Sequence, residues 1–169
     1  MTMPWQMSHR ADPAARVMAD RHYSRQRVGA PQFVAPGSCL VLRAPLALWV
    51  TLRQLPQYVR HAWAGAWVCS LFRNEGEGRS STLIRQAIAA SRAEFGDPPP
   101  EGMVTFCDAT RVRHKRDVGR CFRRAGFRVV GQTRSGLVAL QLPPDAFPAP
   151  AAALWAQARL FEDASGAAL

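Results

Sequence analysis

A glycine-rich turn follows an apolar run near the middle of this 169-residue chain, in the sequence Val-Cys-Ser-Leu-Phe-Arg-Asn-Glu-Gly-Glu-Gly of residues 68–78. Glycine lets the main chain approach a phosphate group, and the free N–H groups that begin a helix favour its negative charge. The RxxGxG spacing therefore predicts a strand, an anion-binding turn and a helix. A turn that binds nothing is the plain alternative. The candidate residues for a phosphate-bearing cofactor are Arg73, Gly76, Gly78, Arg79, Ser80 and Ser81.

Polar residues end two of the apolar runs. Arg73, Asn74 and Glu75 follow residues 66–72, where few apolar partners would explain three polar side chains. We expect Asn74 and Glu75 to face the acceptor substrate of a transfer reaction, with a capped, solvated turn as the alternative. Asp108 follows residues 103–107, and it can act as a general base for an amine nucleophile or cap the next turn.

The charge balance favours a polyanion as partner. The chain has 22 Lys and Arg against 12 Asp and Glu, a formal net charge of +10, and residues 111–134 hold nine basic residues against one acidic residue. A charge run is usually a solvated face, but repulsion with so little acid nearby favours nucleic acid. The candidate nucleic-acid-binding residues are Arg25, Arg27, Arg111, Arg113, Lys115, Arg116, Arg120, Arg123 and Arg124.

Composition excludes two classes of protein. Hydrophobic residues make up 48% and charged residues 20%, which is untypical of a disordered chain, and no apolar run has the roughly 20 residues of a membrane span. The polar start of the chain lacks a secretory segment, so we expect a cytoplasmic protein without a membrane partner. The cysteines Cys39, Cys69, Cys107 and Cys121 lack metal-ligand spacing and are predicted to be buried core thiols.

The order of the predicted elements is typical of an α+β domain over residues 1–142. A Pro/Ala-rich extension over 143–169 carries a predicted short helix at 151–161 that would dock Leu154, Trp155 and Leu160. No clear strand precedes Asp12, so the sheet is expected to have six or seven strands. The predicted helices cover 13–19, 79–95 and about 118–125, and the predicted strands cover 39–42, 46–52, 66–72, 103–107, 127–133 and 137–142.

Two segments resemble motifs of the GNAT (GCN5-related N-acetyltransferase) superfamily. Residues 68–81 resemble its acyl-CoA pyrophosphate-binding turn, and Val-Gly-Arg-Cys-Phe-Arg-Arg-Ala-Gly-Phe at 118–127 resembles its later helix-to-strand motif. Over residues 39–142 the resemblance implies a mixed, splayed central sheet flanked by helices, with an acyl-CoA-like or other phosphate-bearing donor. Many members have a tyrosine in the later helix that can protonate a leaving thiolate. Phe122 matches that position and has no proton to give, so either another group is the acid or the donor is not ordinary acetyl-CoA.

Three further segments resemble the Mom family of bacteriophage DNA-modification proteins within that superfamily: Arg-His-Tyr-Ser-Arg at 21–25, Leu-Phe-Arg-Asn-Glu at 71–75 with Ser80-Ser81, and Val-Thr-Phe-Cys-Asp at 104–108. The resemblance implies transfer of a carbamoylmethyl (glycinamide-type) group to the N6 amine of adenine in double-stranded DNA, which protects it from restriction in the host cytoplasm. It also implies iron held by His22, Tyr23 and Asp108, and catalytic roles for these residues and for Arg73, Asn74 and Glu75. A surface imidazole and a turn cap are the plain alternatives for His22 and Asp108.

Two other functions stay open. One is a GNAT acyltransferase that uses acetyl-CoA on an aminoacyl-tRNA or another amine, and the other is an inactive DNA-binding module, which Phe122 favours. Chemistry on a base in duplex DNA requires the nucleotide to leave the stack, and an aromatic side chain commonly receives or replaces it. Tyr23, Phe33 and Trp63 are the candidates, whereas Trp49 and Trp67 lie in strand patterns and are predicted to be core.

Overall fold

One mixed sheet of seven strands organises the computed structural model, which describes residues 2–111 and 117–155. The strands are β1 (Gln6–Met7), β2 (Gly37–Ala44), β3 (Ala47–Gln54), β4 (Trp67–Asn74), β5 (Met103–Cys107), β6 (Arg128–Gln132) and β7 (Val138–Leu142). They lie in the order β1-β2-β3-β4-β5-β7-β6, and the β4–β5 pair is parallel while the other pairs are antiparallel. The helices are α1 (Pro13–Asp20), α2 (Ser80–Phe95) and α3 (Arg120–Arg124).

Apolar clusters cover both faces of the sheet, which confirms the predicted α+β class. Helix α2 packs its apolar side, including Ile84 and Ile88, on one face, and α1 packs Ala15 and Ala19 on the other. Strand β4 contributes to both clusters, as its apolar run predicts. Trp49 and Trp67 are core residues, also as predicted.

Residues suited to helix ends stand at the start of α1 and at the end of α2. The Asp12 side chain accepts a hydrogen bond from the Ala14 N–H at 2.9 Å, and Pro13 occupies the first turn of α1. Helix α2 ends at Gly96, whose φ of +84° favours glycine. Helix α3 is shorter than predicted because Gly119, at φ +71°, takes a left-handed conformation directly before it.

A segment near the start of the described chain is hydrogen-bonded to one near its end. Strand β1 pairs with β2 on one side, and on the other side the Met7 N–H donates to the Leu154 carbonyl while the Leu154 N–H donates to the Trp5 carbonyl. Two residues are too short a strand to show a sequence pattern. Residues 151–155 are extended, with Leu154 and Trp155 exposed, so the helical prediction is wrong for these residues. The remainder of that prediction, including Leu160, lies outside the described residues.

Strands β4 and β5 part soon after they pair. Their ladder runs only from Trp67 and Met103 to Cys69 and Thr105, although β4 continues to Asn74. A register shift against β3 leaves Ser70 as an extra residue at that point, and its side chain is exposed. The sheet therefore splays between the carboxyl ends of β4 and β5.

Two further expectations concern the membrane and the cysteines. Within residues 2–111 and 117–155, no helix is long and apolar enough to cross a bilayer. All four cysteines are free thiols. Cys69 and Cys107 are buried as predicted, whereas Cys39 and Cys121 are only half-buried.

A buried chain of hydroxyl groups joins α2 to β3, and it supports a stability prediction. The Trp49 Nε1–H donates to Thr51 Oγ1 at 2.7 Å, the Thr51 and Ser91 hydroxyls lie 2.6 Å apart, and Ser91 donates to the Ala87 carbonyl. Thr51→Val leaves the Trp49 N–H without an acceptor, so we expect the free energy of unfolding to fall by about 1–3 kcal/mol in urea denaturation followed by circular dichroism. Thr51→Ser keeps the hydroxyl and is the control. Equal stability of the valine variant and the wild type would contradict the role of these hydrogen bonds in stability.

Candidate active site

A cavity of about 1000 Å³ opens where β4 and β5 part. Its walls come from the ends of both strands, from residues 22–24 after α1, from the start of α2 and from α3 with the turn before it. The opening follows from the short β4–β5 ladder, because two paired strands would leave no such space. Clefts of this size at strand ends are typical ligand sites.

The start of α2 forms a cationic end of the cavity. No side chain caps the helix, and among the described residues the N–H groups of Ser80 and Ser81 have no hydrogen-bond acceptor. Arg79 and Arg124 line the same end and have no ion-pair partner within the described part of the chain. Free N–H groups at a helix start and unpaired guanidinium groups together suit a phosphate.

Asn74 builds the turn before α2. Its Oδ1 accepts the N–H groups of Gly76 and Glu77 at 3.1 and 3.0 Å, and its Nδ2 donates to the Gly78 carbonyl at 2.7 Å and to Ser80 Oγ at 2.9 Å. Asn74 lines the cavity, but the turn uses its polar atoms, as the alternative of a capped turn predicts. Gly76 has a φ of +120° and sets the shape of the turn, and neither Gly76 nor Gly78 lines the cavity.

Arg73 and Glu75 hold the loop that follows α1. Arg73 Nε donates to Glu75 Oε1 at 2.9 Å, and Arg73 Nη1 donates to the Arg21 carbonyl at 2.8 Å. Arg21 itself donates to both oxygens of Glu75, at 2.7 and 3.0 Å. Hydrogen bonds from Arg21 and Arg73 lower the pKa of Glu75. Glu75 thus contacts two arginines, and Arg73 lines the cavity while it is engaged with Glu75 and the Arg21 carbonyl.

His22 and Tyr23 stack on each other at the cavity wall, with ring centroids 4.5 Å apart. His22 Nδ1 accepts the Ser24 N–H at 3.2 Å, so in the neutral ring the proton lies on Nε2. Burial and the nearby Arg73 charge lower the pKa of His22 to about 4, against a hydrogen bond to the main chain of Phe72 that raises it. His22 is therefore neutral at pH 7.

Tyr23 connects this loop to β5. Its hydroxyl oxygen accepts the Asp108 N–H at 3.4 Å, and its carbonyl accepts a hydrogen bond from Arg111 Nη1 at 3.0 Å. Burial, with a smaller effect of Cys107, raises the pKa of Tyr23. Both rings at this end of the cavity are thus uncharged at neutral pH.

Asp108 caps the turn after β5. Its Oδ1 accepts the N–H and hydroxyl of Thr110 at 2.9 and 2.6 Å, and its Oδ2 lies 3.6 Å from Arg111 Nε. The hydrogen bonds from Thr110 lower the pKa of Asp108. The carboxylate does not line the cavity, and the capping role is the one that the structure shows.

Two of the three residues that the resemblance assigns to iron already have polar partners within the protein. His22 Nδ1 is used by Ser24, and the Asp108 carboxylate faces Thr110 and Arg111. In the part of the chain that the structure describes, no three His, Cys, Asp or Glu side chains are grouped to hold a metal ion. Iron held by His22, Tyr23 and Asp108 therefore stays a prediction of the resemblance, and we assign no step to a metal.

The predicted nucleic-acid-binding residues divide into four groups. Arg25 is not a free cation, because it donates to Asp20 at 2.7 Å and to two loop carbonyls and its side chain is only 9% exposed. Arg123 forms an ion pair with Asp117, while Arg27 is exposed. Arg111, Arg120 and Arg124 line the cavity, and Arg113, Lys115 and Arg116 lie outside the described residues.

Of the three aromatic candidates for contact with a base, Tyr23 alone lines the cavity. Phe33 packs near α1, and Trp63 packs against Phe106 at a centroid distance of 6.0 Å. Phe122 is buried, with its ring against Phe72 and Phe127 at 6.0 and 5.3 Å, so this position is an aromatic core residue.

Sequence reasoning missed part of the inner wall. Cys69, Ser70, Cys107 and Cys121 line the cavity. An apolar run does not show where a strand bulges or parts from its neighbour, so the cysteines within such runs are predicted only as core. The one available signal is Ser70, a polar residue within an otherwise apolar strand.

Comparison with protein-family models, with curated proteins and with solved structures finds no match for this chain.

The buried neutral imidazole predicts a pH dependence of stability. Between pH 6.5 and about 4 the unfolded chain binds a proton at His22 that the folded chain does not, so the free energy of unfolding should fall as the pH is lowered through this window. The contribution is fully present above pH 6.5. His22→Gln removes the titrating group, and denaturation of both proteins at several pH values isolates the difference. The same pH dependence in both would contradict the prediction.

Proposed function

We propose that the protein is a GNAT-like transferase whose cavity holds a phosphate-bearing donor and an acceptor amine. The observation that carries the proposal is the single cavity of about 1000 Å³ that joins the uncapped start of α2 to the neutral rings of His22 and Tyr23. The mixed seven-stranded sheet with its splay is the arrangement that the superfamily resemblance implies. It supports the proposal without identifying the ligand.

The charges of the cavity orient the donor. Its phosphates would bind at Ser80 and Ser81 with Arg79 and Arg124, because these groups offer free donors and unpaired positive charge. The body of the donor would then follow the end of β4 into the splay. Its reactive end would reach the inner wall near Tyr23.

The acceptor that we propose is adenine in double-stranded DNA, as the Mom resemblance implies, with a carbamoylmethyl group as the product on N6. An uncharged base suits the stacked, neutral His22 and Tyr23 rings, once the nucleotide has left the stack. A bond forms from N6 to the methylene carbon, the bond to the donor's leaving group breaks, and N6 loses one proton to water. Arg27, which is exposed, offers a cation for DNA phosphates.

The first test is the product. We expect a bacterium that expresses the protein to contain deoxyadenosine with the mass of one added carbamoylmethyl group, measured on nucleosides from a resident plasmid. Acetylated aminoacyl-tRNA without modified DNA would favour the acyltransferase alternative. Salt-dependent DNA binding with no covalent product would favour the inactive binding module.

The second test concerns the cationic end of the cavity. The Arg79→Ala/Arg124→Ala variant should bind inorganic pyrophosphate about tenfold to 100-fold more weakly than wild type in calorimetry, because a hydrogen bond to a charged group contributes roughly 1.5–3 kcal/mol. Arg60→Ala is the matched control, since Arg60 is exposed and lies outside the cavity. Equal affinity in the double variant would exclude this end as the phosphate site.

A further inference from the structure

The strands β4 and β5 each lead into a carboxylate that contacts an arginine close to it in the chain. After β4, Glu75 accepts a hydrogen bond from Arg73, and Arg73 also donates to the Arg21 carbonyl at 2.8 Å. After β5, Asp108 lies 3.6 Å from Arg111, and Arg111 also donates to the Tyr23 carbonyl at 3.0 Å. On both sides of the splay, therefore, a carboxylate contacts an arginine, and that arginine donates a hydrogen bond to a main-chain carbonyl.

These contacts attach residues 21–23 to the ends of both strands, at the opening between β4 and β5. The β4–β5 ladder ends at Cys69 and Thr105, so beyond that point the two strand ends do not hold each other. His22 lies in the chain between Arg21 and Tyr23, whose carbonyls accept these hydrogen bonds. Its ring also accepts a hydrogen bond from the Ser24 N–H. The side chains of His22 and Tyr23 are consequently placed on the cavity wall by hydrogen bonds to the main chain of the loop that carries them.

We propose that Glu75 and Asp108 are positioning residues, which hold Arg73 and Arg111 so that these arginines keep His22 and Tyr23 at the active site. The proposal deepens the function proposed above and rests on it for the activity measurements. It differs from the roles of general base and iron ligand that the sequence suggests for Asp108. The geometry supports it directly, because the Asp108 carboxylate lies outside the cavity while its partner Arg111 reaches the Tyr23 main chain.

Two substitutions of Asp108 separate positioning from chemistry. Asp108→Asn retains an oxygen that can accept the Thr110 N–H, whereas Asp108→Ala loses both the cap and the contact with Arg111. We expect the alanine variant to lose about 100-fold in kcat, the scale of a small misplacement of catalytic groups, and the asparagine variant to stay within about tenfold of wild type. The pH profile of the asparagine variant should match that of wild type. Equal and near-complete loss in both variants would overturn the role proposed for Asp108.

A second readout does not depend on activity. Amide hydrogen exchange of residues 21–25 should become faster in Glu75→Ala and in Asp108→Ala, because each substitution releases one attachment of the loop. Glu94→Ala is the matched control, since Glu94 is an exposed residue of α2. Unchanged exchange in both test variants would overturn the proposal. Faster exchange in a protein that yields no product on DNA or tRNA would support the positioning role and reject the proposed function.

Discussion

The three-residue length of the β4–β5 ladder is the constraint on which the remaining structure depends. Pairing from Trp67 to Cys69 holds the two halves of the sheet together, and the bulge at Ser70 marks the point where the strands separate. Polar main-chain groups beyond that point must find partners outside the sheet or in solvent. Residues 21–24, the turn before α2 and the segment leading into α3 gather around this gap, which becomes the cavity.

The glycine-rich turn illustrates how one segment can carry a motif while its residues have different roles. Asn74 Oδ1 accepts hydrogen bonds from the N–H groups of Gly76 and Glu77. Gly76 therefore contributes a backbone conformation and not a free donor. The N–H groups that remain for an anion belong to the first residues of α2. The motif predicts a phosphate site at this turn, and the N–H groups that would serve it lie a few residues after the glycines.

Most of the fold follows from periodicity and from turn residues. The helix over residues 79–95 and the doubly buried strand over 66–72 are long, strongly patterned segments, and the structure agrees with both within about one or two residues. Strand β1 and the conformation of residues 151–155 could not be predicted, because each depends on pairing with segments that are distant in the chain. The direction in which a polar side chain points could not be predicted from the sequence either. Glu75 and Asp108 follow their strands as predicted, yet the hydrogen bonds from Arg73 and Arg111 to the carbonyls of Arg21 and Tyr23 are tertiary contacts.

The two ends of the cavity differ in charge for reasons that reinforce each other. At the start of α2, Arg79, which has no ion-pair partner among the described residues, lies next to the positive end of a 16-residue helix, which favours anions. At the other end, burial and the charge of Arg73 both disfavour a protonated His22, and burial keeps Tyr23 protonated. A phosphate placed there would meet a half-buried, uncharged wall whose arginines are engaged with Glu75, Asp108 and main-chain carbonyls. A donor with a charged tail and a neutral reactive end therefore has one favourable orientation, and reversal would cost the desolvation of its phosphates.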